Sequence, residues 1–285
     1  MAGEAVKHYP GQSRGWTVII NYVLLIALAL IYIYPFLISL SNSFKTDEEA
    51  TSAGLKLWSD NWTTAAYTTL FQNSDFPLWV KNSIVVTLFV TAGRVFFNSL
   101  AGYALARLDF VGRKVMFAGI IAVMAVPGVV LLIPKFLVLN QLGMYDAWSG
   151  MIIPLLVDAA GVFIMKNFFE SIPVAIEEAA RIDGAGTFRI FWSVVLPNVR
   201  PALATMFILF ALEYWNNLLW PLIVFLKQEN FPLAVGIASM VNSYRTQYDL
   251  VLAGSVLATV PIIILFFLLR RQFMEGSSFT GSGVQ

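Results

Sequence analysis

Three ionisable side chains lie deep inside apolar sequence: Arg94, Asp158 and Glu213. Each falls roughly a dozen residues into a hydrophobic run, which at about 1.5 Å per residue is near the middle of a bilayer. A charge at that depth is costly and faces other helices or a water-filled cavity. Arg94 therefore calls for a carboxylate. Glu213 is the first choice because it opens a polar and aromatic segment; Asp158 is the second, and an acid on a partner subunit the third. Such a network either ties helices together or walls a polar path. The segment Glu213, Tyr214, Trp215, Asn216, Asn217 and Trp220 has the residue types that bind hydroxylated rings. Amides match hydroxyls and aromatic faces match apolar ring faces. The same aromatics serve equally well as packing.

Other chemistry is missing. No Gly-x-x-x-x-Gly-Lys-Ser/Thr loop is present to cradle phosphates. There is no cysteine, which rules out disulfides and thiolate metal sites, and the one histidine, His8, lies in a polar N-terminal stretch. No nucleophile and base are suitably spaced, so a membrane-embedded enzyme fares poorly and no cofactor or metal site is expected on this chain. A net charge of +1 argues against a nucleic-acid partner.

The elements that must position these residues are membrane helices. Of 285 residues, 58% are hydrophobic and only 12% charged, and the mean hydropathy is +0.74. A soluble chain carries about 25% charge, so lipid must cover much of this one. A spanning helix needs about 20 apolar residues. Thr17–Leu40, Ser83–Ala106, Val115–Leu139, Ala147–Phe168, Ala202–Leu226 and Leu250–Leu269 qualify. The expected fold is all-α and polytopic, with a tail over 1–16, a membrane domain over 17–270 and a second tail over 271–285. Thr17–Leu40 is too long for a signal-peptide core and no small-residue cleavage site follows it, so it reads as a retained span. Pro127, Pro134 and Pro154 predict kinks in the third and fourth spans.

Basic residues orient the chain. With the N-terminus inside, cytoplasmic segments hold Lys7, Arg14, Arg107, Arg113, Lys114, Lys166, Arg181, Arg189, Arg200, Arg270 and Arg271. The longer outer segments hold only Lys45, Lys56, Lys81, Lys135, Lys227 and Arg245. Both termini are then cytoplasmic. The outer segment Ser41–Asn82 carries Trp58, Trp62, Tyr67, Phe71 and Trp79, an interfacial aromatic set. A second outer loop, Lys227–Asp249, carries Phe231, Pro232, Leu233 and Tyr244, which suit either a partner or this protein's own outer surface.

The inner loop 170–200 is the most informative stretch. Pro173 suits a helix start, and Glu177 and Glu178 complement its dipole. Gly184 ends that helix, at positive φ. Thr187 is placed to cap a second short helix, whose Phe188, Phe191, Trp192 and Val195 form one apolar stripe at i, i+3, i+4 and i+7. Pro197 ends it. The stripe needs a cover: the protein's own helices, the lipid interface or a groove on a partner.

Glu178-Ala179-Ala180, then Gly184 with Asp183 before it, then Val194-Val195-Leu196-Pro197, resembles the EAA signature of ABC importer permeases. Gly102-Tyr103-Ala104-Leu105-Ala106-Arg107 with Gly112-Arg113-Lys114, Asn140-Gln141-Leu142-Gly143-Met144, Trp215-Asn216-Asn217 with Trp220-Pro221-Leu222, and the ending Phe279-Thr280-Gly281-Ser282-Gly283-Val284 are similar to the carbohydrate branch, specifically the shorter, six-helix permease of the maltose type. Asn217 departs from that branch, which often has an acid there. The resemblance implies a permease that forms a heterodimer with a second permease, takes sugar from an extracytoplasmic binding protein, and works with two ATPase subunits that hold the ATP and Mg. It implies a bacterial or archaeal cytoplasmic membrane. It makes the inner loop a coupling helix that docks the ATPase through Glu178, Ala179, Ala180, Asp183, Gly184, Phe188, Phe191, Leu196 and Pro197. A secondary transporter or channel is the alternative, and the EAA-like signature speaks against it.

Overall fold

The computed structural model describes residues 15–52, 56–241 and 246–281. His8 and most of the N-terminal tail, Asn242 to Arg245 in the second outer loop, and the ending Ser282–Gln285 lie outside the described residues. Among the described residues there are helices and no strands. In chain order they are α1 (Gly15–Asn42), α2 (Asp47–Ser52), α3 (Ala65–Gln72), α4 (Phe76–Arg107), α5 (Arg113–Met124), α6 (Leu132–Gln141), α7 (Trp148–Ile152), α8 (Ala159–Glu170), α9 (Val174–Ile182), α10 (Thr187–Ile190), α11 (Leu196–Asn198), α12 (Arg200–Trp215), α13 (Leu219–Val224), α14 (Leu233–Ser239) and α15 (Tyr248–Gly281).

Three helices are long and apolar enough to span unbroken: α1, α4 and, over Tyr248–Leu268, α15. The other expected spans are bent. α5 and the Gly128–Gln141 segment meet at 99°, Trp148–Leu155 and α8 at 41°, and Thr187–Asn198 and α12 at 78°, which makes up to six spans if each bent pair crosses once. Pro127 stands at the first break and Pro154 just before the second, where each lacks the N–H an unbroken helix needs. The fifth span, expected over Ala202–Leu226, is not one helix: α12 stops at Trp215, and α13 resumes at Leu219. The last helix continues through Gly281, into what the Gly/Ser-rich sequence marks as a tail.

α4 is the central mast. Its 32 residues at 1.5 Å rise reach about 48 Å, well beyond the hydrocarbon layer. It starts at Phe76, before the expected Ser83, because Pro77 suits its first turn. It packs on α8, α12 and α14. α4 and α8 approach closely: a Cβ on Gly102 would meet Met165 and the Lys166 backbone, and one on Gly161 would meet the Asn98 amide. α1 is apolar and exposed along its length and leans on α15.

The two ends of the bundle are distinct. At one end Trp79 donates its ring N–H to the Gln228 carbonyl at 3.1 Å, Asn82 donates to Glu229 and Phe231 carbonyls at 2.8 and 3.1 Å, and the Leu233 N–H meets Ser83 at 2.7 Å. The Tyr248 N–H reaches Asp47 there at 2.9 Å. Segments that charge counting puts on one side thus gather together. Trp79 is buried, Tyr67 bonds Ser43 at 2.7 Å, and Trp58 and Trp62 stay exposed, so only part of the expected aromatic belt faces outward. Phe231, Pro232 and Leu233 are buried. These three members of the loop's apolar set pack against the bundle, and the fourth, Tyr244, lies outside the described residues.

Candidate functional site

The charged cluster at mid-height is built on α4. Arg94 stands midway along that helix and is buried. Its Nε donates to Asp158 at 2.8 Å and one terminal nitrogen donates to Glu213 at 3.2 Å. It also donates to the Tyr214 hydroxyl. Its guanidinium lies 4.6 Å from the Phe210 ring centroid and 5.0 Å from that of Tyr214. Both candidate acids are therefore brought to Arg94, but the order of choice reverses. Asp158 is nearer and more sheltered, whereas the Glu213 side chain is 53% exposed.

Asp158 does not lie inside a helix. It is the N-cap of α8, accepting from the Gly161 N–H at 2.9 Å, which satisfies one of the free donors of a helix start. Asn98, one turn along α4 from Arg94, completes the clasp: its amide donates to Asp158 at 2.7 Å and its oxygen accepts the Asp158 N–H at 3.2 Å. A broken helix end is thereby satisfied within the membrane layer, as an anhydrous surrounding requires. Sequence reasoning missed Asn98 and Phe210. The i+4 spacing of Asn98 from Arg94 was the available signal.

The polar and aromatic segment does not form one lining. Tyr214, Trp215 and Trp220 are buried. The Trp215 ring N–H donates to the Ala258 carbonyl at 2.9 Å, which fastens α12 to α15. The Asn217 side chain accepts the Trp220 N–H at 3.2 Å, which ties the break to the first turn of α13. Glu213 and Asn216 are exposed, and Asn216 lines a cleft of about 270 Å³ with Trp215, Ala234, Ser255 and Thr259. Tyr214, Trp215 and Trp220 are packed within the chain, with an edge of Trp215 at the cleft. Tyr214 and Trp215 end α12, and Trp220 is buried on α13 beyond the break, which resets the 3.6-residue period.

The loop after α8 forms an elbow. α9 ends in a Schellman motif: the Gly184 N–H bonds the Arg181 carbonyl and the Ala185 N–H bonds the Ala180 carbonyl, both at 3.0 Å. Gly184 has φ of +82°, as its position demands. Nothing lies within 4 Å of a Cβ placed there, so glycine is required by conformation and not by space. Glu178, Ala179, Asp183 and Gly184 are exposed and Ala180 half-buried. Ile182 is 87% and Phe188 72% exposed, beside exposed Val174, Ile176 and Trp192.

The expected stripe on the second short helix is split. Phe188 and Trp192 face out, but Phe191 and Val195 are in the core. Residues Phe191–Val195 form a π-helical turn, whose larger number of residues per turn breaks the 3.6-residue period. Phe191 packs on Tyr103 and Phe169, so it supports the elbow from beneath and is not at its surface. Leu196 and Pro197 are half-buried. Gly186, not Thr187, precedes the first turn of α10, and no side chain caps it. Pro197 does not end a helix; it sits in the first turn of α11, and the chain bends after Asn198.

Beneath the elbow lies a second ionic cluster that spacing had not singled out. Glu177 is 1% exposed. It pairs with the Arg107 Nε at 2.7 Å and accepts from the Tyr103 hydroxyl at 3.1 Å. Arg107 also donates to the Phe169 and Ile172 carbonyls.

Known proteins resemble the chain over most of its length. It is 36% identical over 257 residues to the arabinooligosaccharides transport system permease protein AraQ of Bacillus subtilis, covering 89% of this chain and 92% of that one. It is 32% identical over 273 residues to the maltodextrin transport system permease protein MdxG of the same organism, covering 93% and 95%. A chain in the crystal structure of a bacterial ABC transporter that imports the acidic polysaccharide alginate superposes with a TM-score of 0.81 at 30% identity, covering 93% of this chain and all of that one. Residues 98–275, from the Asn98 clasp through the elbow to the last helix, match one family throughout. The chain belongs to the family of binding-protein-dependent transport system inner membrane components.

Proposed function

We propose that this chain is one permease subunit of an ATP-driven importer of a sugar or sugar derivative. It lines the translocation path with a second permease, receives substrate from an extracytoplasmic binding protein, and is driven by two ATPase subunits that hold the ATP and Mg. The elbow over α9 and α10 is the coupling element. The relatives' names, arabinooligosaccharide, maltodextrin and alginate, support the substrate class. With the termini cytoplasmic, the elbow lies inside, where an ATPase can reach it.

The observation that carries this reading is the elbow's surface. Ile182 and Phe188 flank Gly184 and stand out into solvent, while the helix beneath them is fixed by a buried ion pair. Apolar side chains held out on a rigid base suit insertion into a groove. A secondary transporter has no use for such a projection.

Gly184→Asp tests it. A side chain at φ of +82° is disfavoured by about 1 kcal/mol or more, too little to unfold the bundle but enough to reshape the elbow. The variant is expected in the membrane at parental level, with ATPase subunits lost on purification and uptake abolished. Retention of the ATPase subunits with normal uptake contradicts the coupling role.

A further inference from the structure

We infer that Glu177 is a positioning residue that locks the elbow to α4, so that α9, α4 and α8 shift as one body when the ATPase subunits close. This rests on the proposed docking of the elbow and adds the route by which its movement reaches mid-membrane.

The lock is polar and fully sheltered. Glu177 is the most enclosed acid among the described residues, and both its oxygens are engaged from α4, one by Arg107 and one by Tyr103. Arg107 reaches further. Its terminal nitrogen holds the Phe169 carbonyl at 2.6 Å and also the Ile172 carbonyl. Phe169 lies in the last turn of α8 and Ile172 two residues past its end, where the chain turns toward α9. One arginine thus joins three helices. At its other end α8 is held to α4 by Asp158, Asn98 and Arg94. Between these clasps Gly102 lets α4 lie directly against the backbone of α8 at Met165 and Lys166, and Gly161 lets the Asn98 amide close on the start of α8. Two helices clasped at both ends and close-packed between cannot slide past each other. Arg94 and Arg107 ride on the same unbroken helix, 13 positions apart, about 20 Å. A push on the elbow is therefore delivered to the Arg94 cluster and to Glu213, the exposed member of that cluster.

Glu177 differs in this from Glu178, the acid that belongs to the EAA-like signature. Glu178 is exposed at the elbow's surface. The two neighbours point in different directions on α9, one toward a partner and one toward α4.

The absence of cysteine permits spin labels at single introduced cysteines, one at Ile182 on the elbow and one at Leu88 on α4, both exposed. In the assembled transporter the distance between them is measured without nucleotide and after trapping with ATP and vanadate. In the parent it should stay the same. In Glu177→Gln it should change on trapping by about 2 Å or more, the scale of helix shifts in coupled proteins. A parental distance that changes on trapping overturns the inference, and so does a Glu177→Gln distance that stays fixed. Should Glu177→Gln not assemble, the double variant Arg107→Met with Glu177→Met leaves no lone buried charge, and the same distances decide. Failure of the docking reading is recognised separately, by ATPase subunits that stay bound to Gly184→Asp.

Discussion

At the scale of single residues, the mid-membrane cluster holds one cation and two anions with unequal roles. Asp158 caps α8, accepts from Asn98 and pairs with Arg94; Glu213 pairs at 3.2 Å with half its side chain exposed. Breaking a buried pair by removing one member costs about 3 kcal/mol or more, because the other charge is left alone. Asp158→Ala is therefore expected to lower the amount of folded protein in the membrane most, since it also removes a cap worth about 1 kcal/mol. Asp158→Asn keeps an acceptor for the cap and should fall less, and Glu213→Gln least. Arg94→Met combined with Asp158→Asn should recover more folded protein than Arg94→Met combined with Glu213→Met, which leaves Asp158 sheltered and unpaired. Fluorescence-detected yield and thermal unfolding in detergent would read this order. The reverse order would make Glu213 the principal partner. Arg94's need for an acid was legible because burial depth alone requires one. The primacy of Asp158 was not, because Pro154 and the apolar run around it conceal a helix start, although an aspartate ahead of Ala159–Gly161 has the form of an N-cap.

At the scale of elements, the breaks carry the information that periodicity lacks. The elbow's turn was readable from Gly184, whose left-handed backbone follows from its place after α9. The division of its aromatics was not, because a π-helical turn lies between Phe188 and Val195. The opposite end of the bundle shows a second such joint. Asp146 has φ of +51°, the only positive value among the described non-glycine residues, and its carboxylate accepts from the N–H groups of Leu226 and Lys227 and from the Asn230 amide. Slight burial pushes its carboxyl up, but those hydrogen bonds outweigh it and hold it below the usual carboxylate value. A depressed carboxyl contributes stability at neutral pH and loses it only as pH falls below the ordinary carboxylate range. Asparagine tolerates the left-handed region and keeps an acceptor, glycine keeps only the first property, and alanine neither. Proteolysis of the outer loops should therefore rise in the order Asp146→Asn, Asp146→Gly, Asp146→Ala. Equal protection in all three would remove Asp146 as the joint between the two loops.

At the scale of the whole molecule, the segments that share a side by charge also share an end of the bundle. Basic residues assign the segments to two sides, and the same segments meet each other at opposite ends of α4: Trp79 and Asn82 with Gln228–Phe231 at one end, Arg107 with Glu177 at the other. The sequence therefore allowed the bundle to be laid out, but not its joints. Which aromatics pack and which line a path depends on the break after Trp215, and Glu177 and Glu178 are told apart only by which face of α9 meets α4. On the proposed function, the exposed elbow between α9 and α10 enters an ATPase subunit. The most direct measurement is cross-linking of the assembled transporter from single cysteines at Ile182 and Phe188, which no native cysteine of this chain can confuse. The account predicts that both form covalent adducts with the ATPase subunit, and that the adduct from Phe188 disappears in Gly184→Asp. An intact complex in which neither position yields an adduct would contradict it.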